Sequence, residues 1–440
     1  MTSTALLTDR YELTMLQAAL ADGTAGRRCV FEVFTRRLPA GRRYGVLAGT
    51  GRVLEALADF RFGTTELDWL ADNRVVDDRT VRWLADYRFG GTIRGYAEGE
   101  MFFPHSPVLT VEGSFAEAVL LETVVLSILN YDSAIASAAS RMTSAAIGRP
   151  CLEMGARRAH EEAAVAAARA AAVAGFAGTS NLEAGRRYDL PTIGTAAHAF
   201  TLLHDDEEQA FAAQVAASGP GTTLLVDTYD VRRGVERAVA AAGPELGAVR
   251  LDSGDLGVLA QEVRAQLDAL GNRNTRITVT SDLDEYAIAA LAVAPVDSYG
   301  VGTSLVTGSG APTCGMVYKL VAREGRSGAL EPVAKASTAK TSTGGLKTAA
   351  RRRDDSGRAV AEVVVTGNDE AVRAWVPDSA DLRPLVVPLV VDGQVQDGWT
   401  GAAGVRRAAE RHAASRDELP RGARRLSADE AALPTTTLTL

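Results

Sequence analysis

The chain has 440 residues, 46% hydrophobic and 23% charged, enough for two or three domains with sizeable cores. Its 47 Lys and Arg against 55 Asp and Glu give a formal charge of −8. That excludes nucleic-acid binding through a broad basic surface and leaves room for a local patch that holds phosphates. Three cysteines with no CxxC or His/Cys ligand spacing exclude a disulfide scaffold and a structural zinc module.

The opening MTSTALLTDRYELTML has no basic leader followed by an apolar core, so a cytoplasmic protein without a secretory signal is expected. The apolar runs AVLLETVVLSILN and 163–175 are broken by Glu122 and Arg169 and fall short of the roughly 18–20 apolar residues of a membrane span. Residues 11–22 predict a helix opened by Thr8-Asp9 and closed near Gly23. CVFEVFTRRLP (29–39) alternates like a half-buried strand; 51–61 and 65–73 predict helices, and 115–142 predicts one or two buried ones.

From about 148 to 320 short apolar runs alternate with helical patterns, and each run ends in a polar residue or glycine. The ends fall at Glu153, Ser180 and Asn181, His198, Asp227, Asp252, Asp282, and Gly302 with Thr303, with helices predicted at 231–242, 256–270 and 284–292. This is a run of βα units, an α/β barrel or doubly wound sheet. In such folds ligands meet the carboxyl ends of parallel strands, so a polar ring there predicts a small-molecule site. The bland alternative is that these residues cap the following helices.

Beyond 320, the basic, Ser/Thr/Gly-rich stretch 334–358 predicts a loop or lid. Strands are predicted at 359–367 and 384–395, with an Asp392-Gly393 turn, then a polar helix at 401–417 and a frayed or docked TTTLTL tail.

Four constellations could carry chemistry. YGVGTS (299–304) offers small residues and hydroxyls to a phosphate, without the Lys of a Walker A loop. VRLDSGDL (249–256) sets Arg250 and Asp252 two apart on a strand, facing one ligand; Arg suits a phosphate, and Asp suits ribose hydroxyls or a magnesium-bound water. EMGARRAH (153–160) puts Arg157 and Arg158 at a helix start, where an anion would compensate them. His198 in IGTAAHAF could serve as a base or as a nucleophile toward phosphorus.

In order along the chain, TDRYELTML, FEVFTRRLP, LETVVLSILNYDSAIASAASRM, EMGARRAH, AGTSNLEAGRRYDLPTIGTAAHAF, LLVDTYD, VRLDSGDL, YGVGTSLVT and VYKLV resemble nicotinate phosphoribosyltransferase. The resemblance implies an α/β chain with an N-terminal α/β sandwich domain (1–140), an irregular, type II phosphoribosyltransferase-like α/β barrel (141–320) and a C-terminal region (321–440) packed on the first domain. It implies transfer of phosphoribosyl from phosphoribosyl pyrophosphate (PRPP) to nicotinate, giving nicotinate mononucleotide and pyrophosphate for NAD salvage. It also implies ATP as co-substrate, Mg2+ accompanying PRPP and ATP, and a homodimer with shared active sites, acting without nucleic acid or membrane partners.

Position by position, the resemblance gives His198 as the phosphorylated histidine, with Arg250 and Asp252 as its catalytic companions. Arg250, Asp252, Ser281, Asp282, Gly302 and Thr303 would bind PRPP; Tyr11, Met154, Arg157 and Ser180 would bind nicotinate, Tyr11 with Asp9 reaching a neighbouring subunit's site. No residue is assigned to a metal. Related nicotinamide-using enzymes carry an aspartate where Ser180 stands; a hydroxyl can donate to a carboxylate that an aspartate would repel, so the acid is expected. The sequence departs from the family where Met154 replaces a common aromatic and where TAAHAF lacks the usual Trp after the histidine. Alternatives are a nicotinamide phosphoribosyltransferase, a quinolinate phosphoribosyltransferase, or a non-catalytic metabolite-binding protein on the same fold.

Overall fold

Apolar runs of three to six residues, too short for helices and bounded by turn formers, become buried parallel strands when helices connect them. That is the case between residues 138 and 310. The computed structural model describes residues 3–335, 343–377, 379–427 and 430–440 and divides into two units, Met1–Ser137 with Ala311–Leu440, and Ala138–Gly310.

The second unit is built on a six-stranded sheet in the order Gly178–Thr179, Cys151–Glu153, Ser298–Val301, Arg276–Ser281, Ala248–Leu251, Thr223–Leu225. Every pairing is parallel, and the sheet forms an open half-barrel, not a closed one. Helices Val231–Ala242, Leu256–Ala269 and Glu285–Ala290 follow successive strands. Asp230, Asp255 and Asp284 accept N–H bonds from Arg233, Val258 and Ala287 at their starts, so these acids are caps. The Ala-rich helix Glu161–Val173 buries Arg169, whose guanidinium lies over the Tyr188 ring.

One expected strand is absent. PTIGTAAH makes only an isolated bridge from Thr192 to Thr179, because the strand at that edge is just Gly178–Thr179 and offers it only the Thr179 N–H and carbonyl, bonded to Pro191 O and Ile193 N. His198 is instead the first residue of helix His198–Leu203.

In the first unit, three strands from the N-terminal part of the chain are flanked on each side by two from the C-terminal part in one seven-stranded antiparallel sheet. Its order is Leu330–Pro332, Met316–Glu324, Arg28–Thr35, Leu109–Ser114, Thr92–Tyr96, Val386–Val391, Gln394–Val395. Phe31 stacks on Tyr318 at 4.8 Å, and helices Arg10–Asp22, Thr50–Ala58 and Asp78–Ala85 bury their apolar faces in the same core. A four-stranded sheet, Leu382–Pro384, Lys347–Arg353, Ala359–Thr366, Thr435–Thr439, completes the unit. Its last strand is the TTTLTL tail, docked parallel to Ala359–Thr366.

The expected basic loop is corrected by this sheet. Lys347–Arg353 is a strand because its charges are matched: Lys347 Nζ donates to Glu32 at 2.9 Å and Arg351 Nη2 to Glu362 at 2.9 Å, all four side chains nearly or fully buried. Residues 336–342 of that stretch lie outside the described residues. Among the described residues no helix is long and apolar enough to cross a membrane.

Candidate functional site

The polar residues at strand ends that do not cap helices converge. Thr280, Arg250 and Asp252 come from adjacent strands or the turns after them. Arg250 Nε donates to Thr280 Oγ1 at 2.9 Å and its Nη2 to Asp252 Oδ1 at 2.8 Å, while the Thr280 hydroxyl also donates to Asp252. Burial works against the Asp252 charge, but the bonds from Thr280 and Arg250, with the charges of Arg250 and His198, outweigh it and hold the carboxyl below its ordinary range.

His198, 39% exposed, faces this group. Its Nδ1 lies 3.1 Å from Thr228 Oγ1, and its Nε2 lies 3.8 Å from Asp252 Oδ2 and 4.0 Å from Asp227 Oδ1. Asp227 is the residue that sequence reasoning marked as a strand end without giving it a role. Its side chain is 2% exposed; Oδ2 accepts the Asp252 N–H at 2.8 Å and the Ser253 hydroxyl at 2.9 Å, whereas buried Oδ1 has no hydrogen-bond partner. An orphaned carboxylate oxygen beside an imidazole is costly for folding alone. It can orient the ring and stabilise positive charge on it.

Two cavities open around these residues. The larger, about 660 Å³, includes Met154, Arg157, Ser180, Arg250 and the segment Thr192–Ala197 in its lining. That segment runs between the open edges of the half-barrel, since Thr179 and Thr223 sit on the outermost strands and Thr223 also lines the cavity. The smaller, about 220 Å³, is lined by Met154, Arg157, Arg158, Arg250, Asp252, Thr280, Ser281, Asp282, Gly300, Gly302 and Thr303. Two faces of one pocket thus share Met154, Arg157 and Arg250.

Local conformations explain the residue types. A Cβ on Gly300 would lie 2.7 Å from Met154 Sδ, so the glycine seats the thioether. Ser281 has φ 149°, a conformation costly for a side-chain-bearing residue and one that clusters at functional sites. Arg157 lies in the short turn of 3-10 helix Ala156–Arg158 and is exposed. Ser180 is held by its N–H bond to Glu153 O at 2.8 Å.

The structure therefore brings together His198, Arg250, Asp252, Met154, Arg157, Ser180, Ser281, Asp282, Gly302 and Thr303 within one unit. Tyr11 belongs to the other unit, on helix Arg10–Asp22, with its ring 45% exposed and its phenol pKa raised by partial burial and by Glu122. Sequence gave no role to Asp227, Thr228, Thr280 or Glu153, although Glu153 and Asp227 were marked as strand ends and Thr228 stands beside the latter in VDTYD.

A parallel α/β half-barrel with an Arg–Asp–His constellation and an anion-suited pocket at its strand carboxyl ends is the class defined so far. Comparisons narrow it. The profile of the nicotinate phosphoribosyltransferase (NAPRTase) N-terminal domain matches residues 6–130, and that of the nicotinate phosphoribosyltransferase (NAPRTase) family matches 150–363. The chain is 58% identical to nicotinate phosphoribosyltransferase pncB1 of Mycobacterium tuberculosis, over 98% of this chain and 95% of that one. It is 38% identical to the nicotinate phosphoribosyltransferase of Bacillus subtilis, over 73% and 67%. Among solved structures, human nicotinic acid phosphoribosyltransferase superposes with a TM-score of 0.81 at 26% identity, covering 98% of this chain and 97% of that one. The nicotinate-nucleotide pyrophosphorylase of Pyrococcus furiosus superposes with a TM-score of 0.75 at 25% identity, over 93% and 94%. The chain belongs to the nicotinate phosphoribosyltransferase family.

Proposed function

We propose that the protein transfers a phosphoribosyl group from PRPP to nicotinate, releasing pyrophosphate. The observation that carries this reading is the junction of the two cavities, where Met154, Arg157 and Arg250 face both a ring-sized space and a polar space ending in Asp252, Ser281, Asp282, Gly302 and Thr303. The anomeric C–O bond of PRPP breaks, pyrophosphate takes that electron pair, and the pyridine nitrogen supplies the pair for the new C–N bond. Positive charge develops on the ribose ring as the bond opens. Asp252, kept ionised by Thr280 and Arg250, stabilises that charge or holds the ribose hydroxyls. The pyridine nitrogen carries no proton to remove, so positioning dominates.

His198 is proposed to accept a phosphoryl group from ATP on a ring nitrogen, releasing ADP, with Thr228 and the Asp227–Asp252 pair fixing the imidazole. Bound magnesium supplies neutralisation of phosphate charge. No cluster of three His, Cys, Asp or Glu that could hold a metal occurs among the described residues; that donor set suits an ion arriving with its phosphates and met by one or two carboxylates, Asp227 and Asp252. A homodimer is proposed in which Tyr11 of the partner subunit completes the ring pocket. The exposed apolar side chains Leu202 and Leu203, just after His198, support a covering surface there.

The test is pyrophosphate release with nicotinate and with nicotinamide, with and without ATP. Turnover of the acid is expected to exceed that of the amide, and absence of release with either pyridine overturns the reading. Mass spectrometry after ATP incubation should find acid-labile phosphate on His198, and H198A should lose the ATP stimulation. Full stimulation in H198A would end the coupling.

A further inference from the structure

Glu153 takes no part in the scheme above, and it lines neither cavity. It is nonetheless 1% exposed, and a carboxyl is buried at a cost unless its bonds repay it. Burial raises its pKa, and bonds from Thr179 and Gly155 pull it back.

Those bonds are distributed in a particular way. One oxygen accepts the Gly155 N–H, the other the Thr179 hydroxyl. Thr179 Oγ1 in turn accepts the Asn181 N–H at 2.9 Å, and Asn181 Oδ1 caps helix Leu182–Tyr188 through the Ala184 N–H at 2.9 Å. The Glu153 carbonyl accepts the Ser180 N–H at 2.8 Å. The peptide units on both sides of Ser180 are therefore tied back to Glu153, directly or through Thr179.

On the other side, the Gly155 N–H bond fixes the turn that follows Met154. That turn has no slack: a Cβ on Gly155 would lie 2.4 Å from Val306 Cγ1 and 2.9 Å from Gly302 O. The Arg158 N–H donates to Gly155 O at 2.8 Å, so the turn carrying Arg157 is built directly on the clamped residue.

We infer that Glu153 is the positioning residue of the pyridine pocket: one buried carboxyl sets the separation of the Met154–Arg157 turn from the Ser180 turn. The inference rests on the proposed reading of those residues as the ring-binding set. The PRPP side of the pocket is held by different bonds, those of Thr280, Arg250 and Asp252. Of the two turns the clamp holds, the Met154–Arg157 turn borders both cavities, whereas the Ser180 turn borders the ring-sized one and not the polar one. The Thr179 arm therefore acts on the pyridine and not on PRPP.

The experiment uses Thr179→Val, which cuts the arm to the Ser180 turn, alongside Glu153→Gln, whose amide can still accept from Gly155 while donating to Thr179. In T179V the KM for nicotinate should rise about tenfold, the scale of one lost hydrogen bond. The KM for PRPP should stay within about twofold of wild type, and E153Q should lie between. Equal rises in both KM values, or no change in either, in a folded protein overturn the inference. Hydrogen exchange provides a readout independent of turnover. Peptides covering 177–183 should lose protection in T179V, while those covering 151–158 keep it; in Glu153→Ala both should lose it. Unaltered exchange in both variants overturns the clamp. If the wild type releases no pyrophosphate, the functional reading fails by itself and the exchange data still decide the clamp.

Discussion

Arginine–carboxylate pairs occur in both units with opposite settings. In the first, Arg351 and Glu362 are fully buried, and Glu362 also accepts from the Tyr96 hydroxyl at 2.8 Å and from Ser106. Arg383 adds a fork to Glu100, at 3.0 and 2.9 Å, and another to Glu418. In the second unit, Arg250 and Asp252 are 15% and 30% exposed, border a cavity, and sit beside an orphaned oxygen of Asp227. The closed-off pairs tie the four-stranded sheet, made of C-terminal strands, to the N-terminal residues Tyr96 and Glu100. A pair left partly open keeps capacity for a ligand. The difference lies in access, not in residue type: Arg351 Nε and Nη1 also lack hydrogen-bond partners, but they are sealed from any ligand, whereas Arg250 and Asp252 border a cavity.

Substitutions should separate the two settings. D252N should lower kcat for pyrophosphate release by about 10²–10³, the loss seen when one preorganised electrostatic partner is removed, with Tm unchanged. A comparable fall in Tm would place Asp252 with the structural pairs. Glu362→Ala removes the nearer of the two buried carboxylates beside Arg351, leaving Glu100 at 3.9 Å, and should cost about 3–5 kcal/mol in chemical denaturation. The activity of its folded fraction should be unaltered; normal stability would show that Arg351 finds other partners. Within the pocket, S180D opposes a second carboxylate to the acid, so the ratio of nicotinate to nicotinamide turnover should fall by at least about tenfold. An unchanged ratio would remove Ser180 from specificity.

The same contrast explains what could be read from residues alone. Strand ends at Glu153, Ser180, Asp227, Asp252 and Asp282 were visible as polar stops after apolar runs, because parallel strands are buried on both faces and announce where they end. Which stops were caps was not visible: Asp252 and Asp255 look alike in LDSGD, and only the N–H of Val258 tells them apart. PTIGTAAH imitated a strand because pattern cannot report that its neighbour, Gly178–Thr179, is only two residues long. Lys347–Arg353 looked like a solvated loop because its partners Glu32 and Glu362 come from other strands, Glu32 315 residues away. Assigning roles to Tyr11, Met154 and Ser281 depended on family resemblance, since neither periodicity nor spacing marks them.

The smallest effect concerns a carboxyl in the first unit that is buried without an arginine. Glu12, on helix Arg10–Asp22, accepts the Thr123 N–H at 3.0 Å and bonds from the hydroxyls of Thr123 and Thr8. Burial nevertheless pushes its pKa up to about 7, with those bonds working the other way. The unfolded chain ionises Glu12 near its ordinary value of about 4.3, so between there and 7 the unfolded state has given up a proton that the folded state keeps. Stability from this group is present below the unfolded value and is lost as pH rises through the folded one. Glu12→Gln keeps an acceptor for the Thr123 N–H and cannot ionise. The Tm of E12Q relative to wild type should therefore climb from pH 4.5 to pH 8 and level off above. Parallel curves across that window would mean that Glu12 stays charged in the fold, its bonds from Thr8 and Thr123 outweighing its burial.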